Sequence, residues 1–144
     1  MLAVGVAVGE TAPMDSPDIA TTVGVQDLFA RYAHRIDRRD FAGFAALFTE
    51  DGRFSVGDDG CTGRAAIEAF MPGLMKAPGG AHIITNVSAR AAGDGRFAVT
   101  ADYLLTRRTE EGGPWAIVGV GYYESVAVLD GDDWRFAEHR LVPR

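Results

Sequence analysis

The sequence predicts an α+β domain in which three helices come first and a strongly curved antiparallel sheet follows. Two observations predict it. Apolar residues recur at helical spacing only in the first half of the chain, and the second half is a series of long strand-like runs divided by short turn signals. Size adds a third: 144 residues with 47% hydrophobic content suit one core, because a domain of this length buries about two thirds of the surface its unfolded chain exposes.

Residues 1–20 are expected to form a flexible leader and residues 21–144 the single domain. The opening MLAVGVAVG is apolar but lacks the basic start of a secretory signal, and it falls short of the roughly 20 residues that span a bilayer. Met14 is an alternative start. From Thr21 to Arg38, the residues Val25, Leu28, Phe29, Tyr32, Ala33 and Ile36 recur three and four apart, which makes one face of an amphipathic helix capped by Thr21 or Thr22. Asp40 reads as the N-cap of a second helix with Phe41, Phe44, Ala45, Leu47 and Phe48 inward, ending at the turn residues Asp51 and Gly52. Arg53 to Val56 is a short strand. Thr62 caps a third helix that carries Ile67, Phe70, Met71 and Leu74 and is kinked or shortened by Pro72.

Four strand runs cover Ala81–Ala92, Phe97–Arg107, Trp115–Leu129 and Trp134–Val142. Their connections, built on Gly93-Asp94-Gly95, Glu111-Gly112-Gly113-Pro114 and Asp130-Gly131-Asp132, are short enough to favour antiparallel meander pairing. Gly119 and Gly121 permit a tight bend or bulge in the third run. Such a sheet, curled around the helices, leaves a pocket inside.

Charge and motifs exclude several functions. A net charge of -6 repels phosphate backbones, and the arginines form no basic stripe, which argues against nucleic acid. Cys61 has no partner for an internal disulfide, in keeping with a reducing, cytoplasmic setting. The chain has no HxH, HExxH, CxxC, GxSxG or glycine-rich phosphate loop, so no metal and no cofactor is expected.

Four pieces in order, RYAHRIDRRDFAGFAALFTED, GCTGRAAIEAF, AHIITN and GDDWRFAEHRLV, resemble the NTF2-like superfamily, and within it the SnoaL-like group of polyketide cyclases and related lyases. The resemblance covers nearly all of the chain after Thr21. It implies a cone of helices wrapped by a curved sheet. VQDLF with IDRR and HIITN is similar to the corresponding segments of scytalone dehydratase and hexachlorocyclohexane dehydrochlorinase. By that match Asp37 orients a pocket base, His82.

The residue chemistry is compatible. A neutral imidazole accepts a proton at physiological pH, and a carboxylate on its other nitrogen fixes the tautomer and stabilises the imidazolium. Asp37 lies about 110° from the centre of the apolar stripe, at its flank, and near a helix C-terminus where a negative charge is disfavoured by roughly 0.3–1 kcal/mol. His82, Arg38 or Arg39 would each offset that cost. His34 lies about 170° from the stripe, facing solvent, and His139 is expected on the other side of its strand from Trp134, Phe136 and Glu138. Tyr32, on the buried face, is a candidate hydrogen-bond donor into the cavity, as the similar ketosteroid isomerases suggest. By the same resemblance Asp102 falls where scytalone dehydratase carries a second pocket histidine, which makes it either a buried pocket acid or an exposed strand residue. Tyr122 and Glu124 share a strand face that points either inward or to a dimer interface. Val56 stands where ketosteroid isomerases place their base, so that chemistry is not expected.

The function implied is cofactor-independent cyclisation of a mostly apolar polyketide-type intermediate, by His82 with Asp37 or by a shape-driven pericyclic route. The alternatives are a dehydratase, lyase or isomerase using the same dyad, and a non-catalytic binding or dimerisation module whose cone is filled by Phe44, Phe48, Phe97, Trp115 and Phe136. A small apolar substrate and a homodimer are the expected partners, with no nucleic acid and no membrane.

Overall fold

Asp18, not a threonine, starts the first helix. In the computed structural model, which describes residues 16–144, the Asp18 carboxylate accepts the Thr21 N–H at 2.7 Å, and α1 runs Ile19–Asp37. The expected leader lies mostly outside the described residues. Val25, Leu28, Phe29, Tyr32, Ala33 and Ile36 are all buried, so the periodicity identified the inward face.

Asp40 caps α2 as expected, accepting the Gly43 N–H at 2.9 Å, but α2 is only Phe41–Ala45. Phe48 was expected to extend it and instead begins β1 (Phe48–Val56). The Leu47 carbonyl takes the Phe136 N–H at 2.8 Å, which draws the chain into the sheet. Asp51 and Gly52, read as a turn, lie inside β1 where its register shifts between Phe48 and Arg53. Thr62 does not cap the third helix. It ends β2 (Asp59–Thr62), a strand that the sequence did not reveal, and α3 (Arg64–Leu74) starts at Gly63 without a side-chain cap. Pro72 sits in the last turn of α3, which ends two residues later.

The four later strands are β3 (Gly80–Ala91), β4 (Arg96–Arg108), β5 (Trp115–Asp130) and β6 (Asp133–Pro143). They form the expected antiparallel meander. The sheet order is β2-β1-β6-β5-β4-β3, and β1 pairs parallel to β6, so the sheet is mixed rather than wholly antiparallel. It is curved and unclosed. The α+β architecture thus stands, with α2 reduced to little more than a turn.

Bulges set which side chains face the helices. In β5 the partner of Leu105 is Gly119 and that of Thr106 is Ile117, leaving Val118 as the extra residue. In β6 Glu138 opposes Val126 and Phe136 opposes Ala127, so Ala137 is extra. In β3 the register slips between Thr85 and Ser88, with Asn86 at φ 55. Inside the curve Phe29, Tyr32, Phe44, Phe48, Phe54, Tyr123 and Phe136 are each at most 1% exposed, and they pack mainly edge-on or tilted. Of the other aromatics expected to fill the cone, Phe97 is half-buried against Trp134 and Trp115 is exposed. Trp115, Ile117 and Val120 form an exposed apolar strip on the outer face of β5.

Gly121 marks a close approach. A Cβ there would meet the Val142 carbonyl and the Tyr103 ring and hydroxyl. Gly121→Ala is expected to lower unfolding stability by about 1–3 kcal/mol, the usual cost of overpacking, read from a urea denaturation midpoint.

Candidate active site

Among the described residues strand β3 is an edge of the sheet, paired only with β4. His82 opposes Leu105 there, and its N–H turns away from β4 toward α1. The last residue of α1 meets it. Asp37 accepts the His82 backbone N–H at 3.1 Å to each of its oxygens and takes the ring Nδ1 on Oδ1 at 2.6 Å. An edge strand must satisfy its outward amides, and a carboxylate at a helix C-terminus needs compensation, so each group answers the other's deficit.

The alternative partners do not compete. Arg39 donates to the Met75 carbonyl at 2.5 Å, and neither Arg38 nor Arg39 pairs with Asp37 among the described residues. A carboxylate only accepts, so Nδ1 carries the hydrogen of the 2.6 Å contact and Nε2 is left bare in the neutral ring. The His82 side chain is 4% exposed. Two hollows meet it. One is an open groove of about 550 Å³ between α1 and β3, bordered by His34, Ala30 and Ile84. The other is an interior cavity of about 170 Å³, lined by Tyr32, Ile36, Phe54, Met75, Tyr103, Leu105 and Arg107 along with His82. The second is partly open to solvent, mostly apolar and walled by two tyrosines.

Tyr32 is fully buried beside this cavity, 6.1 Å from His82 between ring centroids, and burial raises its pKa. The Tyr32 and Tyr123 hydroxyls neighbour each other, yet neither makes a hydrogen bond of normal geometry. Of the two, Tyr32 lines the cavity and Tyr123 does not. Asp102, Tyr122 and Glu124 lie on the opposite face of the sheet. Val99, Ala101, Tyr103 and Leu105 face inward on β4, and Gly121, Tyr123 and Ser125 on β5, so the three residues between them point outward. Asp102 pairs there with Asn86 at 2.8 Å and Arg144 at 3.4 Å, and Arg144 covers the Tyr122 ring. Glu124 pairs with Arg140 at 3.3 Å. None of the three is brought to His82.

Sequence reasoning missed Tyr103, Tyr123, Arg107 and His139. Tyr103 was legible: Val99, Ala101, Tyr103 and Leu105 are an unbroken apolar alternation, with Thr100, Asp102, Leu104 and Thr106 opposite. His139 was not. It is 1% exposed and shares the interior with Phe136, because the extra residue Ala137 reverses the alternation. Its Nδ1 lies 2.7 Å from Ser125 Oγ, its ring stacks on Tyr123 at 4.6 Å, and its Nε2 has no partner. Burial, with a smaller contribution from the charge of His82, pushes its pKa down to about 3. His34 is exposed, as expected from its helix position. Cys61 is half-buried on β2, and burial pushes its thiol pKa up. Among the described residues no cluster of three His, Cys, Asp or Glu side chains could hold a metal, and no helix is long and apolar enough to cross a membrane.

A family model for the SnoaL-like domain matches residues 17–140. A search of the curated proteins returns no match. Among solved structures, the chain is similar to Rv3472 of Mycobacterium tuberculosis, a protein of unknown function, with 27% identity, a TM-score of 0.78, and 87% of this chain and 72% of that one covered. It is similar to Aln2 of a Streptomyces species, with 24% identity, a TM-score of 0.79, and 89% and 94% covered. A protein of Novosphingobium aromaticivorans described provisionally as a scytalone dehydratase shares 24% identity at a TM-score of 0.75, with 87% and 85% covered. At these identities the likeness to the last two is one of fold.

His139 makes stability depend on acidity. Its folded pKa of about 3 lies below the unfolded value of about 6.5, so only the unfolded state binds the proton as pH falls between them. Its contribution to stability is intact above pH 6.5 and is lost at about 1 kcal/mol per pH unit below it. Denaturant titrations at pH 7, 6 and 5 should show that slope in the wild type and a shallower one in His139→Gln.

Proposed function

Since the chain belongs to the SnoaL-like domain family, we propose that it is a cofactor-independent enzyme of the cyclase and dehydratase type, with His82 as the general base. One observation carries the reading. His82 is anchored through Nδ1 on Asp37 and borders a partly open, mostly apolar cavity that Tyr32 also lines. In this reading His82 Nε2 removes a proton next to a substrate carbonyl, and the C–H electron pair moves into the carbonyl to give an enolate. Tyr32 or Tyr103 donates to the enolate oxygen. Asp37 stabilises the imidazolium while it holds the proton.

The enolate has two productive exits. It can expel a β-hydroxyl, which leaves as water with the proton returned by His82, or attack a second carbonyl to close a ring. The cavity size favours the first exit. About 170 Å³ is close to the roughly 150 Å³ that admits a benzene ring, whereas folding an extended polyketide needs several hundred. Elimination or isomerisation of a compact ring is therefore the better-supported reading, and cyclisation of a long apolar chain the second. The core aromatics support a non-catalytic module in one respect, since they fill most of the interior, but an apolar filling does not call for a histidine held by a carboxylate.

The homodimer remains a proposal, with the strip of Trp115, Ile117 and Val120 as its surface. Ile117→Glu should then shift the protein to monomer in sedimentation equilibrium.

The proton step is testable without the natural substrate. Phenylacetone, a single ring with an acidic benzylic C–H, should incorporate deuterium from D2O faster with the protein than without it, as followed by proton NMR. His82→Ala should reduce the catalysed exchange by about 10²–10⁴-fold, and Asp37→Asn should reduce it less. Exchange unchanged in both variants would remove proton abstraction from the mechanism and favour a shape-driven role.

A further inference from the structure

We propose that Arg107 holds an anionic oxygen of the substrate at the mouth of the His82 cavity, so that the site selects single-ring compounds bearing a carboxylate or an equally acidic oxygen. This rests on the reading of that cavity as the active site and names its substrate class.

The placement comes from strand register. His82 opposes Leu105, and Gly80 opposes Arg107. Arg107 is thus the diagonal neighbour of His82 on the same face of the sheet, about 7–8 Å away between Cα atoms. A ring resting against His82 lies within reach of both side chains. Gly80 has no side chain to fill the space beside the arginine, and a Cβ added there would stand 3.8 Å from Arg107 Nε.

The arginine is poised and unengaged. Its Nε is buried without a hydrogen-bond partner, and none of the ion pairs among the described residues includes it. Other arginines also lack a carboxylate partner, but among the cavity-lining residues Arg107 is the one that combines a buried, unpartnered Nε with a place at the cavity wall. Arg107 borders both the interior cavity and an outer hollow formed with Pro78, Gly79, Glu110 and Glu111. It therefore stands between solvent and the cavity, and neither glutamate on the outer side pairs with it. A guanidinium half-removed from water with an empty donor favours a carboxylate or enolate, to which it can donate two parallel bonds. The remaining lining, Ile36, Phe54, Leu105 and Leu141, suits the hydrocarbon part of one ring.

Binding decides this independently of catalysis. Benzoate and its neutral isostere benzamide would be titrated into the protein, with backbone amides followed by NMR. Benzoate is expected to bind about 10- to 100-fold more tightly, the usual value of a charged hydrogen bond, and to shift His82, Tyr103 and Gly119. Arg107→Gln should reduce benzoate to the affinity of benzamide and leave benzamide within about three-fold, while Arg107→Lys keeps part of the preference. 2-Naphthoate should bind more weakly than benzoate. The proposal is overturned by equal affinity for the two isosteres, by a preference that survives Arg107→Gln, by shifts confined to other surfaces, or by no benzoate binding at millimolar concentration; tight 2-naphthoate binding would overturn the size limit. His82→Ala separates the two readings, because it should lower deuterium exchange by about 10²–10⁴-fold while benzoate still binds more tightly than benzamide, whatever the change in either affinity.

Discussion

The carboxylate at the end of α1 is the contact on which the rest of the site depends. Asp37 ties a helix terminus to the unpaired edge of the sheet through one backbone amide and one ring nitrogen of the same residue. Three things follow from that single anchor. The edge amide is satisfied, the imidazole is held in one tautomer, and the helix is placed at a fixed distance from β3, so that Tyr32, five residues earlier on the inward face, borders the same cavity as His82. A shorter or uncharged side chain at position 37 would leave an unpaired edge amide, a rotating ring and a looser cavity wall.

The interior is a compromise between packing and chemistry. Seven aromatic rings close most of the curve of the sheet, and their burial supplies the hydrophobic stabilisation that a domain of this size needs. Yet three polar atoms, Tyr32 Oη, Tyr123 Oη and His139 Nε2, are buried in the same place without partners. Each such group costs about 1–3 kcal/mol relative to a satisfied one. A core selected for stability alone would replace them with phenylalanine or leucine. Tyr32 belongs to the lining of the His82 cavity, where Arg107 is also left without a carboxylate partner among the described residues.

How much of this was legible in the sequence depends on how far each feature reaches along the chain. The inward face of α1 follows from residues three and four apart, and all six residues read from it are buried. The meander strands follow from turn residues a few positions long. The edges of α2 and α3 were misread because their limits are set by distant partners: Phe48 joins β6, and Thr62 joins a hairpin with β1. The sequence leaves the face that carries Asp102, Tyr122 and Glu124 open between the pocket and the outer surface, and the structure puts all three on the outer face. The alternation of Val99, Ala101, Tyr103 and Leu105 carried the correction.

Asp37 and His82 illustrate the division most directly. The sequence by itself determined the helix that ends in an acid, the strand that begins near a histidine and the α+β order that allows the two to meet, because all of these rest on local periodicity and turn chemistry. It could not determine that two side chains 45 positions apart touch. Tertiary structure decided that, and it decided the interior place of His139 as well, where one extra residue in β6 reverses the alternation of the strand. Bulge positions and the curvature of the sheet arise from the simultaneous packing of strands against helices. A rule that reads neighbours a few residues apart does not contain that information.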